Sequence, residues 1–80
     1  MKSVYISLNS IDKVKQFVNI INIYDSDFDL SSGRYIIDAK SIMGIFSLDL
    51  SKVLRLDIYN DQCADDIIKD LHMFITEPNQ

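Results

Sequence analysis

The sequence predicts an α+β protein, an open-faced sandwich in which helices cover one face of a four-stranded sheet. Short segments in which apolar and polar residues alternate, as in half-buried strands, occur between segments with helical periodicity. The chain has only two glycines and one proline in 80 residues, so regular elements with short connections occupy most of it. This length predicts a single domain, residues 1–80.

The first half of the chain predicts a strand, a helix and a β-hairpin. The alternation in SVYISL predicts a strand whose inward-facing residues are Val4, Ile6 and Leu8. The helical period that follows predicts a helix with Asn9 or Ser10 as its N-cap. Its predicted apolar face consists of Ile11, Val14, Phe17, Val18 and Ile21. Phe28 and Leu30 face inward in the next strand, which the turn signal SSG joins to a third strand, RYIIDA.

The second half predicts a short helix, a strand and a long helix. The segment AKSIMGIFSL supplies the short helix, with Ser41 placed to cap it. The alternation in VLRLDIYN predicts a strand with inward-facing Leu54, Leu56 and Ile58. Residues 61–75 have helical period, and their apolar stripe consists of Ile67, Ile68, Leu71, Phe74 and Ile75. The predicted order is therefore βαββαβα, and the two long helices must bury their stripes on the same face of the sheet.

Composition and charge exclude several classes of function. The net charge is −4, with eight basic against twelve acidic residues and no basic cluster, so we expect no nucleic-acid partner. The single cysteine, Cys63, allows no internal disulfide and is typical of a reducing compartment. The chain has no apolar run long enough for a membrane span, and its N-terminus does not resemble a signal peptide. We therefore expect a cytoplasmic protein without a membrane partner.

Neither a metal site nor a cofactor is predicted. The acidic segments DSDFD and DQCADD do not have the spacing of a calcium loop. Cys63 lies near the start of a predicted helix, where a thiol can become acidic, but no histidine or second cysteine follows it closely in sequence. We interpret it as an ordinary residue of that helix. The chain shows no catalytic constellation, so we expect it not to be an enzyme.

The segment AKSIMGIFSL contains more large apolar residues than one short helix can bury. Ile45 and Leu48 can point inward, which leaves Ile42, Met43 and Phe46 towards solvent. Contiguous exposed apolar side chains on a small protein mark a contact site. The alternative is that all five side chains belong to the core, as apolar residues at helical spacing usually do.

The same segment and the order of the elements resemble the HPr family, the phosphocarrier proteins of the bacterial sugar phosphotransferase system. Gram-positive members of that family have a similar KSIMGxxSL run that carries a regulatory serine. The resemblance implies the three-helix open-faced sandwich for the whole chain. It also implies that Ser41 is a candidate for regulatory phosphorylation. Ile42, Met43 and Phe46 match the exposed positions through which such proteins bind protein partners.

One motif of the family is absent from this sequence. HPr proteins carry phosphate on a histidine in a GLHxRPA loop between the first strand and the first helix. This chain has NSIDKVKQ there, without histidine, arginine or proline. We therefore predict a non-catalytic HPr-like protein, a regulatory or protein-interaction module related to the phosphotransferase system. The alternatives are a phosphocarrier whose acceptor has moved, to Asp12 or to the single histidine His72, and a structural domain without a partner.

Overall fold

The structure of the protein is a computed structural model, which describes residues 1–77. The last three positions of the predicted domain lie outside the described residues. The elements are β1 (Lys2–Ile6), α1 (Ile11–Ile21), β2 (Phe28–Ser32), β3 (Tyr35–Asp38), α2 (Ile42–Phe46), β4 (Leu54–Ile58) and α3 (Asp61–Asp70), followed by a 3₁₀ turn (His72–Phe74). This order confirms the predicted α+β arrangement, βαββαβα.

The four strands form one antiparallel sheet in the order β1-β4-β2-β3. Phe28 and Leu30 of β2 lie opposite Ile58 and Leu56 of β4, and all four side chains are buried beneath the helices. On the other face, a row of polar residues crosses all four strands. It consists of Ser3, Asp57, Asp29 and Asp38. The alternation of the sequence thus separates an apolar covered face from a polar open face.

The core lies between the sheet and the helices. The stripe of α1 supplies Val14, Phe17, Val18 and Ile21, and Phe17 meets Phe74 edge to face, with ring centroids 6.2 Å apart. Ile11, predicted to lie on the same face, is 61% exposed. That prediction was wrong because residues 9–13, which include the first turn of α1, are exposed throughout. Helical periodicity does not show where a helix extends past the core.

The last helix is shorter than its apolar period predicted. α3 ends at Asp70, and the chain then makes the 3₁₀ turn and runs beside β1. The Ser7 amide donates to the Phe74 carbonyl at 2.9 Å, and the Thr76 amide donates to the Tyr5 carbonyl at 2.9 Å. Ile75, predicted to lie in the apolar stripe of the helix, instead forms a β-bridge with Ile6 and is 38% exposed. Pairing with the edge of β1 satisfies backbone groups that a longer helix would have left free.

The hairpin between β2 and β3 has the predicted tight turn. Ser32 and Tyr35 are paired, so only Gly33 and Arg34 form the loop. Gly33 has φ +59°, and it is the only residue of the described chain with a positive φ. A positive φ at the first loop position alone fits a type II′ turn, which favours glycine there. The turn therefore fixes the register of β3 on β2.

No helix within residues 1–77 is both long and apolar enough to span a membrane.

Candidate protein-contact site

Ser41 caps α2, as its position in the sequence predicted. Its backbone is extended, and its side-chain oxygen accepts a hydrogen bond from the Gly44 amide at 3.1 Å. Its carbonyl accepts the Ile45 amide at 3.0 Å, which begins the helix. The residue is exposed, so its hydroxyl is accessible from solvent. Ser41 therefore caps the first turn of α2 at an exposed position.

α2 is held on the sheet by few contacts. Ile45 is fully buried, and Leu48, just beyond the helix, is 8% exposed. Gly44 lies against β3. A β-carbon at this position would stand 3.4 Å from Cβ of Ile37 and 3.3 Å from Oγ of Ser41. This close approach explains a glycine inside a helix, where it costs about 1 kcal/mol relative to alanine.

The remaining apolar residues of α2 are exposed. Ile42 is 36% exposed, Met43 79% and Phe46 43%. We call these three residues the α2 patch. They are three large apolar side chains within five residues of one helix, and Ser41 adjoins them at the N-terminal end. The interpretation in which all five apolar side chains of this segment are core does not hold for these three.

An open cleft adjoins the C-terminal end of α2. It lies between the β2–β3 turn and the loop before β4, and its lining includes Arg34, Leu48, Asp49 and Lys52. The hydroxyl of Ser51 donates to the Asp49 carboxylate at 2.6 Å, and the Ser51 amide donates at 3.1 Å. These hydrogen bonds hold the pKa of Asp49 below its ordinary value. The lining of the cleft thus includes one anion, Asp49, and two cations, Arg34 and Lys52.

Lys40 links the start of α2 to the rest of the protein. Its ammonium group donates to the Tyr24 carbonyl at 2.8 Å and lies 5.6 Å from the centre of the Phe28 ring. The Tyr24 hydroxyl in turn donates to the Asp70 carboxylate, which raises the pKa of Tyr24 to about 12. Although Lys40 precedes Ser41 in sequence, its ammonium group contacts the Tyr24 carbonyl and the Phe28 ring.

The loop between β1 and α1 contains the other candidate residues. Ser10 caps α1 by accepting the Lys13 amide at 3.2 Å, and Lys13 donates to the Asn9 side chain at 3.0 Å. Asp12 is exposed in the first turn of α1. The loop therefore presents a helix start that its own serine already caps, beside an acidic side chain.

The 3₁₀ turn that begins at His72 lies nearer to this loop than the sequence suggested. The carbonyl of its last residue, Phe74, accepts the Ser7 amide of the loop. His72 itself is exposed. The continuous helical period of residues 61–75 predicts one helix and therefore gives no sign that the 3₁₀ turn lies beside the loop. No periodicity could have shown that the chain turns back to β1.

Cys63 is a half-buried residue of α3, as expected. Its sulfur lies 3.7 Å from the Asn60 carbonyl, a contact within the first turn of the helix. Within residues 1–77, no three histidine, cysteine, aspartate or glutamate side chains are grouped so that they could hold a metal ion.

The fold is HPr-like, with the three helices and four antiparallel strands of that architecture. The structure is similar to that of HPr-C-His from Thermoanaerobacter tengcongensis, with a TM-score of 0.76 and 29% identity over 91% of this chain and 89% of that one. It is also similar to the phosphocarrier protein HPr from Bacillus anthracis strain Ames, with a TM-score of 0.70 and 23% identity over 94% of each chain. Neither a family model nor a curated protein matches the sequence.

Proposed function

We propose that this chain is an HPr-like regulatory protein, related to the sugar phosphotransferase system, that binds a protein partner through the α2 patch. The observation that carries the proposal is the exposure of Ile42, Met43 and Phe46 next to an accessible capping serine. α2 has its buried anchors in Ile45 and Leu48, and the three side chains of the α2 patch lie outside the fully buried core. The likeness to HPr structures and the resemblance of the segment to the family's regulatory run support the same site. Such a protein acts in the cytoplasm.

Phosphorylation of Ser41 would act as a switch on this surface. A phosphoserine at a helix start is stabilised by the free amides of the first turn, so the modification leaves α2 folded. It adds close to two negative charges beside the α2 patch. A partner with an arginine near its apolar contact would bind more tightly, whereas a partner with carboxylates there would be repelled.

The partner interaction is tested with two matched methionine variants. Met43 and Met73 are both exposed, at 79% and 63%, but Met73 lies in the 3₁₀ turn and not in the α2 patch. We expect a protein that is captured by the wild type and by Met73→Asp, and identified by mass spectrometry, to be lost with Met43→Asp. Melting temperatures should show that both variants remain folded. Equal capture by the two variants would contradict the contact site.

We further propose that the chain does not carry phosphate from the general phosphotransferase enzyme. The loop NSIDKVKQ has neither the histidine that accepts phosphate in the family nor the neighbouring arginine. Incubation with phosphoenolpyruvate and that enzyme should leave the mass of the protein unchanged, while an authentic HPr in the same reaction gains one phosphoryl group.

One observation keeps a relocated acceptor as a second candidate function. The 3₁₀ turn that begins at His72 is hydrogen-bonded to the β1–α1 loop, where the family has its phosphohistidine. If the mass assay shows a phosphoryl group, its loss in His72→Ala and retention in Asp12→Asn would assign it to the imidazole. The reverse pattern would assign an acyl phosphate to Asp12.

A further inference from the structure

We propose that the outer edge of β3 is a self-association surface, at which two copies of this chain pair their β3 strands antiparallel about a two-fold axis. β3 is the last strand in the sheet order, and it pairs only with β2. No strand of residues 1–77 pairs with its other edge. The proposal concerns residues outside the α2 patch and does not depend on the proposed function.

The residues of this edge favour pairing with another strand. β3 has the sequence Tyr-Ile-Ile-Asp, and Tyr35 and Ile36 are 74% and 62% exposed. Aromatic and β-branched residues have the highest strand propensity. Proteins commonly protect an edge strand with proline, an inward-pointing charge or a lysine within it, and β3 has none of these. Its protection is limited to its short length and to the single charge of Asp38 at its end.

The hydrogen bonds to β2 show which backbone groups of β3 face outward. The Ala39 amide donates to the Phe28 carbonyl of β2 at 3.0 Å. In an antiparallel pair, backbone groups alternate between facing the partner strand and facing away. Tyr35 and Ile37 therefore bond to β2 as Ala39 does, whereas Ile36 and Asp38 direct their amides outward. The Asp38 carbonyl also accepts the Ser41 amide at 2.9 Å, but the Asp38 amide is directed to the free side.

This alternation selects one register for the two copies. Because only the even-numbered residues have outward groups, Ile36 can lie opposite Arg34, Ile36 or Asp38 of the second copy. Only the register with Ile36 opposite Ile36 uses the outward Asp38 amide and leaves the Asp38 carbonyl to the Ser41 amide. The two Ile36 residues then exchange both backbone hydrogen bonds, and the Asp38 amide of each copy donates to the Arg34 carbonyl of the other. Tyr35 comes to lie opposite Ile37, a pairing of an aromatic and a β-branched side chain that stabilises antiparallel strands.

Charge independently favours the same register. Placing Ile36 opposite Ile36 also brings Arg34 of each copy next to Asp38 of the other. Arg34 is exposed and forms no ion pair within 4.0 Å to a carboxylate of residues 1–77. Asp38 lies opposite Asp29 of β2 within its own chain, and such like-charge pairs are destabilising. An arginine from the second copy supplies the cation that this pair of carboxylates lacks, so the edge is complementary to itself.

The interface is small, since each copy contributes one four-residue strand and the arginine before it. Contacts below about 1,200 Å² are typical of weak, transient association. We therefore expect a monomer in dilute solution and a dimer at high protein concentration. Pairing of the two edges would extend the sheet from four strands to eight.

The first measurement follows the backbone amides of the whole chain by NMR while its concentration is raised to about 1 mM, a range suited to weak complexes. We expect the amide signals of Ile36 and Asp38 to shift with concentration. Those of Tyr35 and Ile37, already bonded to β2, should shift less. Sedimentation equilibrium on the same samples should show a dimer. A chain that remains monomeric at the highest concentration would refute the proposal. That monomeric result is also expected if the β3 edge binds only extended peptides of other proteins.

The second measurement uses charge reversal to identify the surface. Arg34→Glu places like charges across the two-fold axis, and so does Asp38→Arg, so each variant alone should dimerise at least about tenfold more weakly than the wild type. In an equal mixture of the two variants, the introduced glutamate faces the introduced arginine, and Asp38 faces Arg34. We therefore expect the mixture to regain dimerisation as a heterodimer.

Asp38→Arg also removes the hydrogen bond from the Lys40 amide to the Asp38 side chain at 3.0 Å, so its melting temperature is measured first. Unfolding cannot imitate the expected result, because recovery in the mixture requires two folded chains. Should Asp38→Arg not fold, Ile36→Pro replaces it. That substitution removes the outward amide at the two-fold axis and is expected to abolish the dimer. A dimer that persists in these variants, or a mixture no stronger than its components, would assign association to another surface.

Discussion

α1 and α2 begin in the same way but differ in how much of their apolar surface is buried. Each is capped by a serine, Ser10 or Ser41, and each is rich in apolar residues. The 11 residues of α1 place four apolar residues of one face in the core, with Phe17 fully buried. The five residues of α2 bury only Ile45.

The difference shows that apolar content and burial are separate properties of a helix. A helix of three turns presents several residues to the sheet along one face, whereas a helix of little more than one turn presents only one or two. The additional apolar residues of α2 are therefore less covered than the buried residues of α1. Their exposure is the basis of the proposed contact site, and the comparison of α1 with α2 can be tested by substitution.

The largest expected effect comes from a matched pair of phenylalanines. Phe17→Ala removes a fully buried ring that contacts Phe74, and truncations of this kind cost about 3–5 kcal/mol of unfolding free energy. Phe46→Ala removes a ring that is already 43% exposed, so it should cost about 1–2 kcal/mol, less than Phe17→Ala. Urea unfolding of both variants measures the difference. Similar losses would mean that α2 belongs to the core.

A smaller effect is expected from the two capping serines. Ser10→Ala should lower the free energy of unfolding by about 1 kcal/mol, because α1 forms part of the cooperative core. Ser41→Ala should mainly destabilise α2 locally. The Gly44 amide, which donates its hydrogen bond to the Ser41 side chain, should then exchange faster with solvent. Ser41→Asp keeps an acceptor at the cap and should restore the protection. Unchanged exchange at Gly44 in Ser41→Ala would show that the cap does not hold the helix.

The smallest effect concerns the connection between the C-terminal side of α1 and α3. The Asp70 carboxylate accepts the Tyr24 hydroxyl and raises the pKa of Tyr24 from 10.0 to about 12. A folded-state pKa above the unfolded value means that this contribution to stability is complete below about pH 10 and is lost between about pH 10 and 12. Asp70→Asn removes the anion and should return the pKa of Tyr24 towards 10.

Ultraviolet titration of tyrosinate in the wild type and in Asp70→Asn measures this shift, and Tyr24→Phe identifies the signal among the four tyrosines. Titration of Tyr24 near 10 in the wild type would show that the hydrogen bond does not form in solution. The Tyr24–Asp70 hydrogen bond would then not contribute to holding α1 against α3.

Much of the architecture could be predicted from local patterns. Alternation in the strands, the turn at Gly33 and the stripe of α1 follow directly from residue type and spacing, because burial of one face imposes a fixed period. The end of the last helix could not be predicted in this way. Residues 71–75 continue the helical period, yet the backbone leaves the helix to bond with Tyr5 and Ser7 of a distant segment.

The sequence by itself determined the class of fold, the order of its elements and the serine that caps α2, because these depend on interactions between near neighbours in the chain. Only the tertiary structure decided between exposure and core for the apolar residues of α2, brought the 3₁₀ turn that begins at His72 to the β1–α1 loop and left one edge of the sheet open. These properties depend on which surfaces the folded elements cover. That is decided by contacts between residues far apart in the chain, and the period of a single segment carries no information about them.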